Sequence, residues 1–80
     1  MDIRQLKHFV ALSETLHFGR ASEACHISSS ALSRSIKQLE DTLGVALFER
    51  DNRTVVLTRE GEKFQAYARD ALSQWDMIRH

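Results

Sequence analysis

Three features of the sequence predict a mainly α-helical domain with one small β element. A short helical pattern over residues 18–25 is followed, after a tight link at His26 to Ser28, by a longer one over residues 28–44. Two runs rich in branched and aromatic residues, 45–50 and 54–57, meet at the turn formers Asp51 and Asn52. A final apolar seam at steps of four and three begins at Phe64. Together these predict a winged helix-turn-helix: three helices plus a two-stranded β wing, followed by a long linker or dimerisation helix. Residues 1–57 form the winged unit in this reading, and residues 58–80 the linker helix.

The first helix is expected from Asp2 to about Thr15. Asp2 suits its N-cap, and Ile3, Leu6, Phe9, Val10, Ser13 and Leu16 fall on one stripe. Ala11 and Leu12 lie off that stripe and are assigned to a second contact, with another subunit. The bland alternative is scattered surface apolar residues.

In the second helix Phe18, Ala21 and Cys25 repeat at i, i+3, i+7, and the small side chains permit a close crossing with its neighbour. Ile27 is placed as the plug of the corner. Ser28 or Ser29 caps the next helix by offering a side-chain oxygen to unpaired N–H groups. That third helix has two faces. Leu32, Ile36, Leu39 and Leu43 make a core stripe. About half a turn away stand Ser30, Arg34 and Lys37, with Ser33 on the flank. All are hydrogen-bond donors suited to phosphates or base edges in a groove of DNA, although an ordinary solvated face has the same pattern. Glu40 and Asp41 lie beyond its third turn, leaving the N-terminal half as the positive end.

Gly44 has the character of a left-handed stop. The hairpin carries Arg50 and Arg53 at or near its tip, where an arginine can reach a phosphate or a narrow minor groove. Thr58 is the expected N-cap of the last helix, with Glu60 in the first turn; Gly61 stands where a glutamate would complete a capping box. Phe64, Ala68, Ala71, Trp75 and Ile78, widened by Leu72, are assigned to dimerisation. The alternative folds this helix back onto its own domain. The pattern runs to His80 without a stop signal and is read as continuing into a longer chain.

Composition excludes several classes. The 80 residues are 42% hydrophobic and 28% charged, which fits one small globular domain whose modest core favours a partner. Eleven Lys+Arg balance eleven Asp+Glu, so net charge lends no support to a nucleic-acid partner, and the distribution of charge has to carry that case. A single Cys rules out an internal disulfide framework, and no apolar run suffices for a signal peptide or membrane span. A cytoplasmic setting is expected. His17, Cys25 and His26 lack the paired spacing of a zinc module, so no metal is assigned. Cys25 is read as a small buried hydrophobe. No phosphate loop, nucleophile elbow or carboxylate pair is present, and no enzymatic role or cofactor is expected.

The stretches LKHFVALSE, FGRASEACHIS, SALSRSIKQLEDTLGVALFER and VVLTREGEKF closely resemble the N-terminal DNA-binding domain of LysR-type transcriptional regulators. The resemblance covers essentially the whole chain, and its LSR-x-I-x-x-LE-x-x-LG-x-x-LF-x-R core is highly specific. It implies double-stranded operator DNA as partner and homodimers through the linker helix. It also implies tetramers in the full-length protein and a small-molecule effector bound only by a further C-terminal domain. Ser33 and Arg34 match recognition-helix positions, and Arg53 matches a wing arginine that enters the minor groove of an interrupted palindrome. Ser29, Ser30 and Ala31 stand where many members have Gln or proline. The expected DNA contacts are Ser29, Ser30, Ser33, Arg34, Lys37, Arg50 and Arg53, with Gly19, Arg20 and Thr58 as backbone contacts near helix starts. The competing reading is a winged-helix protein-interaction module, which shares the fold and is favoured by the neutral charge.

Overall fold

The computed structural model describes residues 1–79. Among them the order is α1 (Ile3–Thr15), α2 (Phe18–Cys25), α3 (Ser29–Leu43), β1 (Phe48–Arg50), β2 (Val55–Leu57) and α4 (Arg59–Arg79). This is the predicted class: three helices, an antiparallel two-stranded wing and a long last helix.

Local chemistry sets the helix ends. The Asp2 carboxylate accepts the Gln5 N–H at 2.9 Å while the Gln5 side chain accepts the Asp2 N–H at 3.3 Å, closing a capping box on α1. Ser28 is the cap of α3, accepting from the Ala31 N–H at 3.1 Å, and Gly44 ends that helix at φ 75°. The other two stops carry side chains. Leu16 (φ 51°) and His26 (φ 58°) both adopt the left-handed conformation in which a Cβ is crowded. Leu16 is therefore a 40% exposed cap, and does not extend the apolar stripe of α1 as expected.

α1 is the central element because it packs on α2, α3 and α4. It accordingly buries more than one stripe. The assignment of Leu12 and Ala11 to another subunit is corrected: Leu12 is fully buried in this chain's own core, and Ala11 packs against that core. The Phe9 ring lies 5.4 Å from Phe48 and 5.0 Å, edge-on, from Phe64, joining the first helix to the wing base and the last helix. Leu32, Ile36 and Leu39 bury the predicted face of α3, and Ile27 packs partly buried against the core. Cys25 is only half-buried, although this burial still pushes its thiol above the ordinary value.

Both wing strands are three residues long, paired from Phe48 with Leu57 to Arg50 with Val55, and so shorter than predicted. Val45 to Leu47 stand outside the ladder, and the Glu40 carboxylate accepts the N–H groups of Leu47 and Phe48 at 2.7 and 3.2 Å. The Leu47 carbonyl in turn accepts the Thr58 N–H at 3.0 Å. Gly61, in the first turn of α4, is buried against the same carbonyl, and a Cβ at this position would fall on its oxygen.

The seam of α4 divides in two. Ala68 is fully buried, so its assignment to dimerisation is corrected, and Phe64, Ala71 and Leu72 are partly buried against this chain's own core. Helical spacing marks a face that must be covered, and here α1 covers its first half. Gln65 donates to the Ser13 hydroxyl at 2.9 Å and Arg69 pairs with Glu14 at 3.2 Å along that contact. Beyond Leu72 the cover ends: Trp75 is 38% exposed and Ile78 76%. His80 lies outside the described residues.

Two outcomes follow for stability. Gly61→Ala is expected to cost about 1–3 kcal/mol by forcing the last helix away from Leu47, measured by urea unfolding against Ala66→Gly as a solvent-facing control. His8 Nδ1 lies 2.7 Å from the Ser35 hydroxyl between α1 and α3, and burial holds its imidazole below the ordinary value, with Asp2 opposing and Arg4 adding to the effect. The unfolded chain then binds the proton more readily, so this contribution is complete above about pH 6.5 and is lost as the pH falls below it. The stability difference between the wild type and His8→Gln is expected to shrink between pH 7.5 and pH 5; a pH-independent difference would remove His8 from this role.

Candidate nucleic-acid interface

The exposed face of α3 is built by its own periodicity. Burying Leu32, Ile36 and Leu39 forces Ser30, Arg34 and Lys37 outward. Its first turn contains no acid, so the unpaired N–H groups and the helix dipole present partial positive charge at that end. The link between α2 and α3 is tight because the Ile27 N–H donates to Ser22 at 3.0 Å and the Ser22 and Ser29 hydroxyls meet at 3.2 Å. The Ser29 hydroxyl is thereby turned toward α2.

An open groove joins the start of α2, the start of α3 and the wing. Gly19, Ser29, Ser30 and Ser33 line one side, Arg50 and Arg53 the other. A second concavity along α3 brings Ser33, Arg34, Lys37 and Arg50 together with Gln38, which the sequence did not single out. Lys37 is paired with Asp41 at 3.2 Å, both side chains well exposed, a contact weak enough to yield to a phosphate. Arg34 makes no ion pair among the described residues.

Two of the weaker candidates fall outside. Arg20 is exposed on α2 but lines neither concavity. Thr58 is occupied at the start of α4, where its hydroxyl donates to the Ala46 carbonyl at 2.7 Å and accepts the Gly61 N–H at 2.9 Å. It is a structural cap at the foot of the wing.

The wing tip is shaped by Asp51. Its carboxylate accepts the N–H groups of Arg53 and Thr54, each at 2.8 Å, and the Thr54 hydroxyl at 3.2 Å. These bonds hold the carboxyl below the ordinary carboxylate value and fix the backbone that carries Arg53. Sequence reasoning saw only a turn former here, although an Asp two and three residues before free N–H groups is the signature of such a turn. It also missed His17, whose Nδ1 caps α2 by accepting the Arg20 N–H at 3.1 Å, because histidine is not among the usual caps.

A helix with a cationic outer face, held by a shorter helix and flanked by an arginine-bearing hairpin, defines a winged helix-turn-helix DNA-binding domain. Residues 3–62 match the model of the bacterial regulatory helix-turn-helix proteins of the lysR family. The chain belongs to that family. It is 51% identical over all 80 residues to the HTH-type transcriptional activator IlvY of Salmonella typhimurium, and covers 27% of that protein. Among solved structures, it superposes on a full-length OxyR variant of Pseudomonas aeruginosa with a TM-score of 0.96 at 46% identity, covering 99% of this chain and 27% of the other. It also superposes on the BenM DNA-binding domain in complex with benA site 1 DNA, with a TM-score of 0.92 at 41% identity, covering 98% of this chain and 88% of the other. The chain thus spans about a quarter of the length of the curated relatives it matches.

Proposed function

We propose that this chain is the operator-reading head of a bacterial transcriptional regulator, acting without catalysis on double-stranded DNA in the cytoplasm. The observation that carries this reading is the single groove in which the exposed start of α3 faces the arginine-bearing wing. A helix fits the major groove of B-DNA, about 12 Å wide, and a hairpin beside it falls over the adjacent minor groove. Ser30, Ser33, Arg34 and Lys37 enter the major groove. Arg53, held by the Asp51 turn, enters the minor groove. The similarity to IlvY favours a target in branched-chain amino acid biosynthesis.

Two such heads pair through the uncovered end of α4, where Trp75, Met77 and Ile78 are exposed. This arrangement presents two α3 helices to an interrupted palindrome, and in the longer protein two pairs form a tetramer. The small-molecule effector belongs to a C-terminal domain beyond this chain.

Arg34→Ala is expected to lose about 1–3 kcal/mol on a DNA site selected from a random pool and to relax base preference at one position, read by competition binding. An equal loss on selected and random DNA would reduce Arg34 to a phosphate contact. Absence of any enrichment from the pool at low salt would favour the protein-interaction module instead. For pairing, Trp75→Glu combined with Ile78→Glu is expected to move the sedimentation of the chain from dimer to monomer while the helical circular dichroism signal at low temperature is kept, and to remove the concentration dependence of the thermal midpoint. An unchanged dimer would reject this end of α4 as the seam.

A further inference from the structure

Arg50 was grouped with the DNA contacts, yet its guanidinium is already engaged. Its Cζ lies 4.9 Å from the centre of the Phe18 ring, and its Nη1 donates to the Ser33 hydroxyl at 3.5 Å. Phe18 is the first residue of α2, Ser33 lies in the second turn of α3, and Arg50 is the last residue of β1, immediately before the Asp51 turn. No carboxylate pairs with Arg50 among the described residues. One planar cation therefore touches the three elements that frame the groove, at the tip side of a wing whose base is already seated by Phe48 and by the Glu40 carboxylate. A guanidinium suits this position because its flat face stacks on a ring while its edge donates hydrogen bonds, which an ammonium cannot do together.

We propose that Arg50 is a positioning residue: by bridging Phe18 and Ser33 it fixes the angle of the wing against the reading helix, and so delivers Arg53 to the minor groove and orients the Ser33 hydroxyl. Three bonds to Asp51 hold the shape of the tip, but they are internal to the wing and cannot set its direction. The wing base is seated by Phe48 and Glu40, and the contact to Phe18 and Ser33 adds the restraint nearest the tip. The DNA part of this inference rests on the reading given above; the bridge itself does not.

The test uses Phe18→Leu, which keeps an apolar residue at the start of α2, removes the ring and changes no charge. In the free wild-type chain, the Arg50 Hδ and Hε resonances are expected to carry a ring-current shift that Phe18→Leu abolishes; an unshifted Arg50 in the wild type overturns the bridge whatever the DNA results. On the selected DNA site Phe18→Leu is expected to weaken binding by roughly two- to fivefold, the equilibrium factor of an exposed cation–π contact. In an Arg53→Ala background the same change is expected to cost less, only what the Ser33 hydroxyl contributes; an undiminished loss would overturn the delivery of Arg53. Arg50→Lys is expected to restore only part of what Arg50→Met loses. If Phe18→Leu binds as tightly as the wild type while Arg50→Met lowers the salt dependence by about one phosphate contact, Arg50 binds DNA directly and the positioning role is rejected. If the wild type binds no DNA, the ring-current result still decides the bridge, and the failure lies in the DNA reading.

Discussion

Leu47 is the residue on which the arrangement of this domain turns. Its N–H is bound by the Glu40 carboxylate from α3, its carbonyl accepts from Thr58 at the start of α4, and its side chain is 1% exposed in the core. Gly61 allows the last helix to sit directly on that carbonyl. Reading helix, wing and last helix thus meet at one residue. Each hydrogen bond contributes only about 0.5–1.5 kcal/mol net, but leaving the partly buried N–H groups without a partner costs more than that. The geometry is therefore held by the expense of the alternatives as much as by the strength of any bond.

Charge distribution explains how a chain with no net charge is compatible with a polyanionic partner. Glu40 is consumed inside the structure by the wing base, Glu14 is paired with Arg69, and Asp51 is turned into its own loop. The acids of α4's first turn, Glu60 and Glu62, stand at the foot of the wing. What remains outward along α3 is Arg34, Lys37 with a weak exposed partner, and a row of hydroxyls. A sum over the sequence hides this because it counts an internal carboxylate as equal to an exposed one.

Much of the fold was legible because its signals are local. Asp2 and Thr58 were identified as caps and Gly44 as a stop from the chemistry of one turn, and the buried face of α3 followed from spacing alone. What periodicity cannot report is which element covers a face. Leu12 and Ala68 were assigned to a second subunit for that reason, whereas α1 is surrounded by three helices of its own chain. The strand lengths were overestimated because the apolar run 45–47 reads as strand, whereas the Leu47 N–H is bound by Glu40 from α3. Within the interface, residue types on one helix were predictable. Contacts between elements, such as Arg50 over Phe18 and His17 capping α2, depend on tertiary placement that no single window contains.

The seating of Gly61 also has a mechanical side. From that point to Ile78 the last helix runs 17 residues, about 26 Å at 1.5 Å per residue, and its outer third is free of the body of the domain. Packing through Phe64, Ala68 and Leu72 holds its inner part, so the free end takes its direction from that packing and from the seating at Leu47 together. A side chain at Gly61 would push that seat apart. The missing Cβ of one glycine therefore lets the wing base and the last helix share one seat, and the free end inherits that fit.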